Sequence, residues 1–191
     1  MSAALHRRDV VKALLLERGD ALVVAGLGST AWDCTAAGDS PLTFPLWGAM
    51  GAAAMVGLGL ALAQPARRVL VITGDGEMLM GLGSLATIAV QQPPNLAIAV
   101  IDNERYGETG MQTTHTAAGV DLAAVAIGCG FSTACVVREP EDLEPARRKL
   151  LGGAGPVLAQ IKVVAENLSL VLPPHDGPVL RDRFRQALLG S

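Results

Sequence analysis

The sequence predicts an α/β fold: a single doubly wound domain with a mainly parallel sheet. Three observations point to it. Short, almost continuously apolar runs alternate with helical stretches along the chain, as expected for strands buried on both faces by covering helices. The 22 glycines among 191 residues gather at the ends of those runs and inside apolar helices rather than in a linker. Two oxygen-bearing side chains, Asp75 and Asn103, each fall just beyond the end of a predicted strand, which is where open parallel sheets bind ligands.

The elements follow in order. Residues 9–17 are predicted as a helix, and 21–25, the run ALVVA, as a short buried strand. The stretch 51–62 is an apolar helix rich in Gly and Ala, so it can pack closely on a sheet. The run VLVIT over 69–73 is a strand, and a helix over 80–90 follows, broken by Pro93-Pro94. Residues 96–101 form the next strand, 122–127 a helix, 133–137 a strand, 141–151 a helix and 157–164 a strand. Beyond Pro173-Pro174 the chain turns polar and holds a last helix over 179–189. The whole chain, 1–191, reads as one domain with a polar tail and helix at 172–191.

Composition narrows the function. Half of the residues are hydrophobic but only 3% are aromatic, so the core is built from Ala, Val, Leu and Ile. The net charge of −3, with no basic block, excludes an electrostatic nucleic-acid binder. The three cysteines have no C-x-x-C spacing, and the N-terminal stretch lacks the apolar core of a signal peptide. Together these lead to the expectation of a reduced, cytoplasmic protein. The most membrane-like run, 48–63, is too short and too rich in Gly and Ala for a spanning helix.

The chemistry concentrates between Val69 and Gly110. There Gly74-Asp75-Gly76 closes one strand and Asn103 closes the next, 28 residues after Asp75. Asp75 offers an anionic oxygen, Asn103 a neutral one, and a backbone carbonyl nearby a third. Two diphosphate oxygens and a water would complete the octahedron that Mg²⁺ demands. Glycines let backbone N–H groups approach a phosphate, and the following helix presents its positive end. A ligand-free β–α turn also carries GDG; the Asn arriving after a second strand is what favours the cation site.

This pairing resembles the diphosphate-binding signature of thiamine-diphosphate-dependent enzymes, specifically their C-terminal diphosphate-binding (PP) domain. The segment PLWGAMGAAAMVGLGLALAQP (45–65) looks like the stretch before GDG in acetolactate synthases and related decarboxylases. DNERYGETGMQTTHT (102–116) and GVDLAAVAIGCGF (119–131) look like the corresponding parts of sulfopyruvate and phosphonopyruvate decarboxylases. The resemblance covers about residues 8–165. It implies thiamine diphosphate and Mg²⁺ as cofactors, with Asp75, Asn103 and the backbone carbonyl of Arg105 as metal ligands. Gly74, Gly76 and Glu77 would line the diphosphate, the last two through backbone N–H groups.

It also implies that Met50, 25 residues before Asp75, props the bent cofactor, and that the Gly48 carbonyl accepts from its aminopyrimidine. Plain core filling is the competing role for Met50, a helix N-terminal carboxylate for Asp75, and an Asx turn for Asn103. Ser29 and Thr30 stand either beside the diphosphate or in a turn. His115 either faces a substrate or sits on a surface loop, and Glu104 and Glu108 form a charged rim. His6 and His175, near the termini, are expected to be solvated.

The implied activity is decarboxylation of a small 2-oxo acid, sulfopyruvate or phosphonopyruvate. The alternatives are an acetolactate-synthase-like carboligase subunit and a non-catalytic cofactor-binding or regulatory subunit. Ala49, Ala52 and Met111 depart from the phosphonopyruvate decarboxylase pattern, which leaves the substrate open. The glutamate that activates the cofactor in this family lies in a separate pyrimidine-binding domain, for which this chain has no room. The resemblance therefore implies a hetero-oligomer with a pyrimidine-domain subunit, most simply α₂β₂.

Overall fold

In the computed structural model, residues 4–190 are described. Their elements run α1 (Arg7–Leu15), β1 (Leu22–Ala25), α2 (Ser29–Ala36), β2 (Thr43–Pro45), α3 (Ala53–Ala63), β3 (Val69–Gly74), α4 (Asp75–Met80) and α5 (Ser84–Gln91). They continue with β4 (Leu96–Asp102), β5 (Arg105–Tyr106), β6 (Gln112–Thr113), α6 (Leu122–Cys129), β7 (Thr133–Val137), α7 (Pro140–Gly152), β8 (Val157–Lys162) and α8 (Gly177–Leu189).

Six strands form one sheet in the order β2-β1-β3-β4-β8-β7, and every pairing in it is parallel. The period-two alternation of the strands sends side chains to two separate cores. One face buries Leu22, Val24, Val69, Val71, Ile98 and Leu158 against α3, α5 and α6. The other buries Val23, Leu70, Ile72, Ala97, Ala99 and Ile161 against α1, α2 and α7. The doubly wound expectation holds, and the near-continuous apolar strand sequences follow from burial on both sides.

The chain winds from β1 to β2 on one side and then crosses back to β3 on the other. The sheet order therefore reverses between β1 and β3, and a crevice opens beyond their carboxyl ends. The loop starting at Gly26 and the GDG turn face each other across it.

Some sequence expectations need correction. The helix expected over 80–90 is α5, which starts only at Ser84; residues 75–80, expected as a loop, form the separate helix α4, and 81–83 divide the two. Gly81 causes the break: a Cβ there would lie 2.1 Å from the Gly51 carbonyl oxygen, so the chain turns where two backbones touch. The α2 helix and strand β2 were not anticipated, and Ser29 and Thr30 belong to the first turn of α2 rather than to a loop. Alpha2 is short and carries Ser, two Thr and Cys, residues of modest helix propensity; packing of Ala31 and Cys34 into the core holds it. Helix α1 begins two residues earlier than expected, at Arg7. The tail helix α8 packs on β2 through an edge-on contact of Phe184 with Phe44, ring centroids 5.4 Å apart.

Helix α3 gives a paired test of packing. A Cβ on Gly57 would meet Val71 Cγ2 at 2.2 Å, whereas one on Gly59 in the same helix would meet nothing within 4 Å. Gly57→Ala is expected to lower the unfolding free energy, because overpacking costs about 1–3 kcal/mol against ~1 kcal/mol gained in helix propensity. Gly59→Ala is expected to raise it by up to ~1 kcal/mol. Urea denaturation of both variants checks the opposite signs.

Candidate cofactor cleft

The crevice at the switch point is a cleft of about 730 Å³, its open mouth included, lined among others by Met50, Gly74, Asp75, Gly76, Asn103 and Arg105. With Glu77, which also lines it, seven of the eight residues expected to bind the cofactor thus converge from three segments far apart in sequence. Register explains the central pair. Gly74 of β3 sits opposite Ile101 of β4, so the residues that follow, Asp75 and Asp102, emerge side by side at the strand ends, with Asn103 one step further on.

Asp75 opens α4 and is 2% exposed. Its Oδ2 accepts from Thr114 Oγ1 at 2.5 Å, and Thr116 Oγ1, whose one proton is shared with Asp102, lies 3.1 Å away. Burial pushes its carboxyl up to about 6; the Thr114 bond opposes this, and the negative charge of Asp102 adds to it. Asp102, fully buried, accepts from Thr116 Oγ1 at 2.8 Å and Gln160 Nε2 at 2.6 Å, and pairs with Lys162 Nζ at 2.8 Å. Lys162 also reaches Glu104 at 2.7 Å, and Gln160 Oε1 accepts from the backbone N–H groups of Leu122 and Ala123 at the start of α6.

Asn103 Oδ1 accepts from the Arg105 N–H at 3.0 Å. The Asx turn is therefore real, and it leaves a second lone pair on the same oxygen. The chain next forms the small hairpin β5–β6. Glu104 and Met111 have φ of 61° and 62°, left-handed conformations that turn the chain back over the cleft. Tyr106 packs on Gly76, where a Cβ would come within 2.5 Å of the ring.

Glu77 contributes more than a backbone N–H. Its buried Oε2 accepts from Thr73 Oγ1 at 2.8 Å and the Leu27 N–H at 3.1 Å, and burial raises its pKa. A Cβ on Gly26 would lie 1.9 Å from that oxygen. The side chain thus clamps the loop after β1 to the GDG turn. Arg7, buried at 3% exposure, also lines the cleft. It pairs with Asp33, as does Arg8 at 2.9 Å, so two guanidiniums share one carboxylate and leave positive charge behind the cleft.

Two expected residues stand apart. His115 is exposed and is not among the cleft-lining residues, because the extended chain puts the buried Thr114 and Thr116 on one side and His115 on the other. Gly48 is exposed in the open loop before α3, outside the cleft lining, while its neighbour Met50 lines it. Glu108, read as part of a rim, does line the cleft and packs over Gly28. Thr114, Thr116, Gln160, Lys162 and Arg7 belong to no motif that marks them in the sequence. The alternation of QTTHT was the one available signal for the two threonines.

Among the described residues no group of three or more His, Cys, Asp or Glu is placed to hold a metal ion. At the two strand ends the cleft offers the Asp75 carboxylate, the Asn103 amide oxygen and backbone, a set suited to a hard cation only if a ligand supplies further oxygens.

The thiamine pyrophosphate enzyme C-terminal TPP binding domain matches residues 28–161. The chain belongs to the thiamine pyrophosphate enzymes. The sulfopyruvate decarboxylase subunit beta of Methanothermobacter thermautotrophicus is 38% identical over 98% of this chain and 97% of its own length. The phosphonopyruvate decarboxylase of Streptomyces viridochromogenes is 42% identical over 87% of this chain, but only 42% of that longer protein is matched. A solved structure from Mycobacterium smegmatis, described provisionally as a thiamin diphosphate-dependent enzyme, superposes with a TM-score of 0.73 over 86% of this chain and 33% of that one. At 24% identity that likeness speaks for the fold alone. Within this family, the match spans both strand ends that build the cleft.

The Tyr106–Gly76 contact yields a test of how the cleft is held. Gly76→Ala is expected to push the ring aside, costing about 1–3 kcal/mol of stability. It should also shift the ring NMR signals of Tyr106, the chain's single tyrosine. Unchanged ring signals would show that the hairpin does not rest on the GDG turn.

Proposed function

We propose that the chain is the diphosphate-binding subunit of a thiamine-diphosphate- and Mg²⁺-dependent 2-oxo acid decarboxylase, acting in the cytoplasm. The observation that carries this reading is the convergence of Asp75, Asn103 and Arg105 on one cleft with Met50 and the GDG glycines. Asp75 and Asn103 would hold the cation through their side chains and Arg105 through its carbonyl. The N–H groups of Gly76 and Glu77 would face the diphosphate, with the charge of Arg7 behind it. Bound there, the cofactor supplies the electron sink that lets a 2-oxo acid lose CO₂. The chain's own part is to orient it. Met50 forms an apolar prop at the cleft edge, Glu77 locks the two facing loops together, and Tyr106 packs over the GDG turn.

Sulfopyruvate is the leading substrate and phosphonopyruvate the next. A relative called a beta subunit matches over 97% of its length, which supports a chain that works beside another. The whole of 1–191 is then one diphosphate-binding domain with a polar tail at 172–191, whose helix α8 packs on β2. The partner is a pyrimidine-domain subunit carrying the activating glutamate, assembled most simply as α₂β₂. Exposed Trp47, Met50, Met55 and Met80, in or beside the segments around the cleft, give that partner an apolar surface to cover.

Calorimetry of the chain with thiamine diphosphate is expected to show Mg²⁺-dependent binding that Asp75→Ala abolishes, since that change removes the predicted anionic ligand. Equal binding by the variant sinks the site assignment. The chain reconstituted with a pyrimidine-domain partner is expected to release CO₂ and an aldehyde from sulfopyruvate. Formation of an acetohydroxy acid instead would identify a carboligase, and full turnover by the purified chain alone would overturn the shared site.

A further inference from the structure

Three oxygen–oxygen contacts tie the cleft's buried carboxylates to the QTTHT segment, and a fourth joins its two threonines. Thr114 Oγ1 lies 2.5 Å from Asp75 Oδ2 and 2.9 Å from Thr116 Oγ1; Thr116 Oγ1 lies 3.1 Å from Asp75 Oδ2 and 2.8 Å from Asp102 Oδ1. Both threonines are nearly sealed from solvent, at 3% and 4% exposure. The two hydroxyls converge on the same Asp75 oxygen. Thr114 donates its proton there, and Thr116, with one proton to share, bridges Asp75 Oδ2 and the nearer Asp102 Oδ1; Asp75 Oδ1 is the oxygen with no hydroxyl beside it and the one placed to meet a cation.

The contacts also join two halves of the site. Asp75 begins α4, whereas Asn103 and Arg105 belong to the loop after β4. Thr114 and Thr116 lie at the far end of that same loop, and the Thr114 N–H returns to the Glu104 carbonyl at 3.0 Å. The loop is thus closed on itself and pinned to Asp75 and Asp102. Asp102 is fixed in turn by Gln160 and Lys162.

We propose that Thr114 and Thr116 are positioning residues for the metal site. Their hydroxyls turn the Asp75 carboxylate to present a single oxygen, and they set its distance from Asn103 and the Arg105 carbonyl. This rests on the reading of Asp75, Asn103 and Arg105 as the cation site. Groups that orient a metal ligand without touching the metal typically carry about 10- to 100-fold of metal affinity.

The test is Mn²⁺ binding to the full chain in the presence of thiamine diphosphate, followed by electron paramagnetic resonance. Thr116→Val keeps shape and removes the hydroxyl, as does Thr114→Val; Thr116→Ser and Thr114→Ser keep the hydroxyl. The valine variants are expected to weaken Mn²⁺ binding by about 10- to 100-fold and to change the zero-field splitting of the bound ion, with the serine variants restoring both. Thr114→Val leaves every donor of Asp102 in place and so carries the test if Thr116→Val does not fold. Valine variants that bind Mn²⁺ like the parent, or folded serine variants as weak as the valines, overturn the proposal. A parent chain that binds no Mn²⁺, or an Asp75→Ala variant that binds it fully, overturns the site reading and this inference with it.

Discussion

Two carboxylates buried side by side at the ends of adjacent parallel strands set the terms for the rest of this molecule. Asp75 and Asp102 follow directly from the β3–β4 register, and neither is open to water. A buried carboxylate persists only with hydrogen bonds and a compensating charge. Asp102 has both, from Thr116, Gln160 and Lys162. Asp75 has two hydroxyls but, among the described residues, no ion pair with a basic side chain. The imbalance leaves negative charge at the one point of the sheet where topology opens a crevice. A divalent cation is the group that would balance it. The folding of the 103–118 segment serves the same end, since its left-handed residues Glu104 and Met111 return the threonines to the carboxylates.

A second constraint is the thinness of the packing. With few aromatic residues, the helices approach the sheet and one another at glycines. Gly57 lies on Val71, Gly81 on the Gly51 carbonyl, and Gly26 on the Glu77 carboxylate. The last two contacts border the cleft. The Gly51–Gly81 crossing fixes the loop that carries Met50 against the end of α4. Ala49 takes a φ of 58° within that loop, a conformation that costs an alanine energy and is kept only where the surroundings enforce it. Substituting those glycines would therefore move the cleft walls as well as the core.

Much of this was legible in the sequence. The parallel sheet followed from apolar runs with no polar face, and Asp75 and Asn103 could be placed at strand ends because the strands before them are unambiguous. The rest was hidden for specific reasons. Alpha2 is a short helix of weak formers held by tertiary contacts, so no periodicity announced it. The 80–90 helix was read as continuous because the Gly51–Gly81 contact is invisible without the fold. His115 drew notice as the titratable residue in QTTHT, while the residues that face inward are the threonines on either side. A threonine carries no charge and no motif; its importance here comes from the two carboxylates that folding brings to it. Glu77 was read for its backbone alone, since nothing in the sequence shows that Thr73 and Leu27 converge on its side chain.

The cleft also has the character of one wall of a larger site. Polar contacts brace its floor from beneath, through Glu77 under the loop after β1, the Arg7–Asp33–Arg8 cluster and the Asp75–Thr116–Asp102 chain. Its rim is the reverse. Met50 is 38% exposed and Trp47 44%, and both sit on the loop fixed by the glycine crossing. A braced floor under an exposed apolar rim fits a surface whose ligand is held from below and covered from above. The contacts that brace the floor all lie within this chain. The rim gains from burial only when a second surface arrives. The energetics thus divide the work. On the proposed reading this chain would preorganise the anchoring of a diphosphate, and exclusion of water from the reacting end of the cofactor would fall to a surface closing over Met50.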